Sequence, residues 1–396
     1  VSAKRNAIRL LSFGHACVDV YQGAVAALVP FFVAERHWSY TAASGIVLAA
    51  SLLSSVVQPL FGALTDRWPM PWLLPVSTLA AGGGVALSGT GGPYAVTLAV
   101  VAVSGIGVAA YHPEAARAAR SAAGGDHTAM GWFSLGGNIG FAAAPLLVAA
   151  VVATGGLRAA PLLAVPAVVA AVLYAAVPRG TARPRPRGGA GAEGRDDWRS
   201  FGRLSGAIAC RSVVFVGLGT FIALYVRQRV GGGEVAGTAA LFVLYLGGAV
   251  GTVAGARLAH RYGRLAVVRR SYALSVLAVA GVVLVPGPAL YLFVALASAG
   301  LYLPFSLHVT LGQDYLPGRV GTASGVTLGL AVSVGGVAGP AIGALADAAS
   351  LRVALAPLIA LPAVGWLLLR PLREPGAPGR TGAPAGRADR AASAGR

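Results

Sequence analysis

The chain has 396 residues, of which 56% are hydrophobic and only 11% charged, with a mean hydropathy of +0.72. A soluble protein carries roughly 25% charged residues, so this composition excludes an ordinary globular domain and describes a chain lying mostly in lipid. The net charge of +18 would point a soluble protein toward nucleic acid, but here the basic residues fall in short segments between apolar stretches, which makes them topology signals and excludes a nucleic-acid-binding module.

Apolar stretches long enough to cross a ~30 Å hydrocarbon core recur at 8–34, 41–64, 71–89, 93–116, 129–153, 157–177, 204–226, 235–258, 266–285, 289–311, 320–346 and 352–371. They predict twelve transmembrane helices, the fifth and sixth divided only by TGGL. The first span has no small-residue cleavage site after a short apolar core and is expected as a retained helix rather than a signal peptide. Cys17 and Cys210 fall inside spans and read as small buried hydrophobes, not as a disulfide or metal pair. Between spans six and seven runs PRGTARPRPRGGAGAEGRDDWRS, which cannot bury a core. Residues 178–203 are therefore expected as a cytoplasmic linker between bundles 1–177 and 204–373, and 374–396 as a disordered cytoplasmic tail. Of the 31 basic residues, 25 lie at the termini or in even-numbered loops, five lie in odd loops (Arg36, Arg158, Arg227, Arg229, Arg352), and Arg211 lies within a span. That asymmetry predicts that both termini are cytoplasmic. Lys4 is the only lysine, so the choice of Arg at any one position carries little weight.

Taken in chain order, the first motif is a polar stripe in an apolar helix. Ser12, His15, Asp19 and Gln22 are spaced +3, +4 and +3, which places them on one helix face. An Asp at the centre of a span costs about 2.5–3.5 kcal/mol on insertion scales, so this face must meet other helices or a water-filled cavity. Burial favours the neutral acid, which equips Asp19, ahead of His15, to bind and release a proton. The competing reading is a hydrogen bond that only aids helix assembly.

GALTDRW closes span two, bringing Gly62, Asp66 and Arg67 to a predicted cytoplasmic loop. It resembles the Gly-x-Leu-x-Asp-Arg signature of the major facilitator superfamily. ARLAHRYGR after span eight is a degenerate second copy, with His260 in place of the acid and Arg261 retained. An acid at a helix end can hold a facing helix or an Arg and release it as two halves rock. In span four, His112 and Glu114 flank Pro113; Glu114 and Arg117 are i,i+3 and can pair, leaving either a structural pair or a polar cluster with a second proton site.

SLGGNIG (134–140) in span five matches SVGGVAG (333–339) in span eleven at an offset of 199, and the same offset carries Arg120 onto Arg319. The match points to duplicated six-helix halves. Gly136, Gly137, Gly140, Gly335, Gly336 and Gly339, with Pro340, supply small faces for close helix packing. Tyr302, Phe305 and His308 in span ten are candidate cavity-wall residues, with Trp132 and Asn138 in span five as weaker candidates. Arg211 either snorkels to headgroups or points inward as a partner for Asp19 or an anionic substrate.

GHACVDVYQGAVAALVPFF, GVAAYHPEAARAAR (107–120) and GQDYLPGRVGTASGVTLGLAVSVGG (312–336) resemble the fosmidomycin-resistance branch of the major facilitator superfamily over nearly all of the chain except linker and tail. The resemblance implies an all-α integral membrane protein of two pseudo-symmetric six-helix bundles in the cell membrane. It also implies efflux of small toxic compounds, fosmidomycin being a phosphonate, in exchange for protons. Proton coupling is then expected at Asp19, His15 and Glu114, and substrate contact at Gln22, His112, Arg211, Tyr302, His308 and Asn138. Gating is expected at Gly62, Asp66, Arg67 and Arg261. No catalytic constellation, metal-ligand cluster, cofactor motif or Gly-x-x-x-x-Gly-Lys-Ser/Thr phosphate loop is present in the sequence, so the expected partners are a small-molecule substrate, protons and the lipid bilayer, and the expected state is a monomer. An importer of a small polar metabolite on the same fold is the alternative, and a non-transporting membrane sensor or enzyme a remote one.

Overall fold

The computed structural model describes residues 2–68, 70–124, 127–176 and 195–375. Among the described residues there is no strand. The helices are α1 (Ser2–Arg36), α2 (Tyr40–Arg67), α3 (Leu73–Ser88), α4 (Tyr94–Ala123), α5 (His127–Gly155), α6 (Val165–Ala176) and α7 (Trp198–Val230). They continue as α8 (Gly233–Tyr262), α9 (Arg264–Leu284), α10 (Leu290–Tyr302), α11 (Phe305–Tyr315), α12 (Val320–Ala348), α13 (Leu351–Leu355) and α14 (Ala360–Leu369).

Among the described residues, ten helical stretches are long and apolar enough to cross a membrane. One of them, Ala129–Tyr174, has 46 residues, about 69 Å of helix at 1.5 Å per residue, and must fold back. It does so at Gly156, whose φ of +64° suits glycine, followed by a 3-10 segment and α6. The shorter α3 adds one more passage. The result is twelve passages, because α10 with α11 and α13 with α14 are each one passage interrupted near proline: Pro304 in the first, Pro357 in the second. Pro30, Pro59, Pro113, Pro145 and Pro340 sit inside helices, where neighbouring helices compensate for the missing donor.

In the first bundle α1 rests on α4 and α5, α2 on α4, and α3 on α4 and α6; in the second α7 rests on α8, α12 and α14, and α9 on α10 and α14. The glycine motifs sit in matching contacts. A Cβ on Gly136 or Gly140 would strike the α1 backbone at Ser12 or Ala16. One on Gly335 would strike the α7 backbone at Ser212, whose hydroxyl accepts the Gly335 N–H at 3.0 Å. The same span-five-on-span-one packing is thus used once in each half.

The bundles meet along α2–α12 and α5–α8. There Gly336 faces Ser51, and a Cβ on Gly339 would lie 3.8 Å from Ser44; Pro340 follows in the same helix.

Most of the expected linker and tail, 178–194 and 376–396, lies outside the described residues. The remainder of the linker is structured, and α7 starts at Trp198 rather than at 204. Hydropathy finds where a helix enters lipid, not where it is capped. Asp197 accepts the Ser200 N–H at 3.0 Å, and its own N–H donates to the Tyr315 carbonyl at 2.7 Å. Glu374 is likewise held, by Arg264 Nε at 2.8 Å and the Leu265 N–H at 3.0 Å.

Candidate transport cavity

Between the bundles lies a cavity of about 660 Å³. Its walls come from the middle of α1, α2, α4 and α5 on one side and of α7, α8, α10–α11 and α12 on the other. The lining extends to Gln58, Thr310 and Gln313, in the half of the bundle nearer the two termini, and stops at Ala26 and Val47 in the other direction.

Beyond that limit hydrogen bonds tie the two bundles together. The carboxylate of Asp347, at the end of α12, accepts the Tyr40 N–H at 2.7 Å, the Thr41 N–H at 2.9 Å and the Thr41 hydroxyl at 2.6 Å. It thereby caps the first turn of α2 in the other bundle, where free N–H groups and the helix dipole favour an anion. Gln228 of α7 donates to the Tyr40 hydroxyl at 3.2 Å.

The α1 stripe divides. Ser12 turns back to its own helix, donating to Ile8 O at 2.8 Å, whereas His15, Asp19 and Gln22 line the cavity. Asp19 Oδ2 lies 3.3 Å from His15 Nε2, and Oδ1 lies 3.0 Å from His112 Nε2 of α4. Each ring is fixed from behind: His15 Nδ1 donates to Phe133 O at 2.9 Å, His112 Nδ1 to Val108 O at 2.8 Å. The Phe133 ring stacks on His15 at 4.3 Å. Gly137 makes room for the group, since a Cβ there would run into Asp19 and the His15 ring. The donor atoms of the three side chains lie within 4.8 Å of one another.

Arg211 points inward rather than snorkelling. It is 3% exposed, lines the cavity and donates from Nε to Leu301 O at 2.6 Å. Its buried Nη1 has no hydrogen-bond partner, and the guanidinium stands over Phe305 at 5.3 Å and Phe215 at 5.8 Å. Arg211 and Asp19 therefore share one cavity from opposite bundles, but Asp19 is held by imidazoles and Arg211 by a backbone carbonyl.

Asn138, Tyr302 and Phe305 also line the cavity. His308 does not; it is buried behind the wall, 3.5 Å from the Tyr272 hydroxyl. Glu114 is fully buried and clasped by Nε and Nη2 of Arg117, the Nε contact measuring 2.9 Å, away from the lining. Trp132 is 61% exposed on the outer face, because one helix face meets lipid and Trp132 is on it.

In the last turns of α2, Gly62 has open space around it, and Arg67 stacks on the next residue, Trp68, at 4.6 Å. The Asp66 side chain lies outside the described residues. Arg261 stacks on Tyr262 at 5.3 Å. The lining includes residues that sequence reasoning passed over: Gln58 and Gln313, polar amides in or next to apolar stretches, and Tyr245, which meets Phe141 across the bundles at 4.3 Å. The amides carried a signal, being as exceptional in a span as Gln22; Tyr245 carried none, because aromatics in membrane helices are ordinary.

Twelve passages in two halves around a central cavity, its wall largely apolar with a few polar groups set into it, are the architecture of a membrane transporter. The Major Facilitator Superfamily profile matches residues 11–340, and the chain belongs to that superfamily. It is 28% identical over 372 residues to the fosmidomycin resistance protein of Escherichia coli K12, with 91% of each chain covered. It is 30% identical over 376 residues to an uncharacterized MFS-type transporter, YfnC, of Bacillus subtilis 168, with 90% of each covered. Among solved structures it resembles the nucleoside transporter NupG (D323A mutant; TM-score 0.78, 10% identity, 92% of this chain and 98% of that one). It equally resembles a bacterial homologue of the human lysosomal transporter Spinster in an inward-facing and occupied conformation (TM-score 0.78, 14% identity, 92% and 96% coverage).

Proposed function

We propose that the protein exports a small anionic toxic compound, of the fosmidomycin-like phosphonate class, across the cell membrane in exchange for protons. The observation that carries this reading is the pairing of two unlike walls in one cavity. The first bundle presents a titratable carboxylate, Asp19, and the second presents a buried guanidinium, Arg211, with an unsatisfied Nη1. A guanidinium in a low-dielectric site suits an oxyanion, which can accept two of its N–H groups at once. The similarity to a fosmidomycin resistance protein supports the substrate class.

With both termini in the cytoplasm, the orientation that the Arg asymmetry supports, the open end of the cavity faces inward and the Asp347 contact closes the outside. This is the state that loads substrate from the cell. Export follows when the bundles rock, the seal around Asp347 opens, and protons enter Asp19 from outside. Exchange requires that the two access states differ in affinity for proton and substrate. That one chain supplies the whole cavity supports a monomer as the working unit.

The test is fosmidomycin susceptibility of a sensitive host expressing the wild-type chain, Asp19→Asn or empty vector at matched membrane levels. Resistance from the wild type that Asp19→Asn abolishes is expected. A wild type that confers none removes the phosphonate assignment, and a fully active Asp19→Asn removes Asp19 as the coupling group.

A further inference from the structure

The histidines beside Asp19 carry more information than their distances alone. Each Nδ1 faces a backbone carbonyl oxygen, Phe133 O for His15 and Val108 O for His112. A carbonyl only accepts, so each Nδ1 must bear a hydrogen. A neutral imidazole has one N–H, and here it is used up at Nδ1. Its Nε2 then offers only a lone pair. Both Nε2 atoms nevertheless face the Asp19 carboxylate, at 3.0 Å and 3.3 Å, and an ionised carboxylate also offers only lone pairs. Each contact is attractive only if a proton lies in it, on the ring or on the acid.

Resting on the reading of a proton-coupled transporter, we propose that the transported protons are held by Asp19, His112 and His15 as one unit. One proton sits in the shorter Asp19–His112 hydrogen bond and a second in the Asp19–His15 contact. The group carries net charge +1 when loaded and −1 when empty, and it titrates as a coupled set rather than as three residues. His112 therefore belongs to the proton site, and Glu114, already clasped by Arg117, does not.

The surroundings leave the protons to these three groups. Its own helix α1 adds the thiol of Cys17. On α4, Tyr111 stands beside His15 and His112, its hydroxyl joined to that of Tyr174 on α6 at 2.6 Å; the Glu114–Arg117 pair follows. From α5 come Phe133, Gly137 and Asn138, and from α2 the cavity residues Ser51, Ser54 and Gln58, none of which titrates near neutral pH. Across the cavity the charged lining group is Arg211 of α7, with Tyr302 of α10 on the same wall.

The test uses the full chain in lipid vesicles with ring-15N-labelled histidine, read by solid-state NMR across pH. The chain has six histidines, and His15→Gln and His112→Gln assign the two signals. We expect both rings to be doubly protonated at acidic pH and to discharge in two separate steps, each step moving when the other ring is removed. In Asp19→Asn the His112 step should move, because the acid that shares its proton is gone. Titrations of His15 and His112 that are single, independent and the same in wild type and Asp19→Asn would overturn the proposal. If Asp19→Asn does not fold, a His112 step unchanged by His15→Gln overturns it alone. The measurement needs no substrate, so it stands or falls separately from the resistance assay.

Discussion

Arg211 uses one nitrogen to fix itself and leaves another bare. Nε is anchored on Leu301 O, and the Nη1 side of the fork is without a partner. Lysine at this position would keep the charge but lose both the anchor and the fork geometry. Loss of one charge-assisted hydrogen bond is worth about 1.5–3 kcal/mol, so Arg211→Lys should raise the KM for an anionic substrate on the order of tenfold or more. Uptake of labelled fosmidomycin into inside-out vesicles measures it, and an unchanged KM would show that the guanidinium does not touch the substrate. At this scale the sequence was informative where contacts are local. His15, Asp19 and Gln22 could be placed on one face because helical spacing alone sets that. His112 was read as a substrate contact and not as a partner of Asp19, because 93 residues separate the two and only packing of α4 on α1 joins them. His308 and Glu114 were assigned to the site from residue type; the fold satisfies one behind the wall and the other with Arg117. Polarity within a span says that a side chain avoids lipid, not which interior neighbour receives it.

At the scale of elements, the seal opposite the open end rests on the close approach of α2 and α12. Gly343 lies where a Cβ would strike Tyr40 and Ser44, and Asp347 adds its carboxylate to the first turn of α2. A carboxylate in this capping role contributes about 1 kcal/mol, enough for roughly a fivefold change in a two-state population. Asp347→Ala should therefore shift molecules toward the state open at that end. A cysteine introduced at the buried Ser44, in a background lacking Cys17 and Cys210, would report the shift as several-fold faster labelling by a membrane-impermeant thiol reagent applied from outside. Equal labelling rates would mean that helix packing alone holds the seal. This contact was not legible in the sequence, where Asp347 is one acid at the end of an apolar span and Tyr40 lies 307 residues away. The glycine motifs were legible in part. Their offset marks the duplication, but that Gly336 and Gly339 face the other bundle while Gly335 faces α7 follows only from how α12 is turned.

For the whole molecule, the two bundles are alike in framework and unlike in chemistry. Gly136 on Ser12 and Gly335 on Ser212 repeat one packing device, yet Asp19 and its histidines occur in the first half and Arg211 in the second. The proposed exchange has no energy source but the proton gradient. Dissipating the proton gradient with a protonophore should abolish exclusion of labelled fosmidomycin from expressing cells while their ATP is maintained by fermentation; exclusion that persists would exclude proton coupling.

By itself the amino-acid sequence determined that the chain lies in the membrane, that it crosses about twelve times, that its halves are related, and that α1 carries an acid needing an interior. These follow from properties summed along the chain or repeated within one helix, namely hydropathy, charge spacing and helical period. Only the tertiary structure decided which polar groups meet, which end of the cavity is closed, and that Arg211 faces inward with an unpaired arm. Those outcomes depend on the rotation of each helix about its axis, and in a lipid-embedded bundle that rotation is set by packing against neighbours distant in sequence.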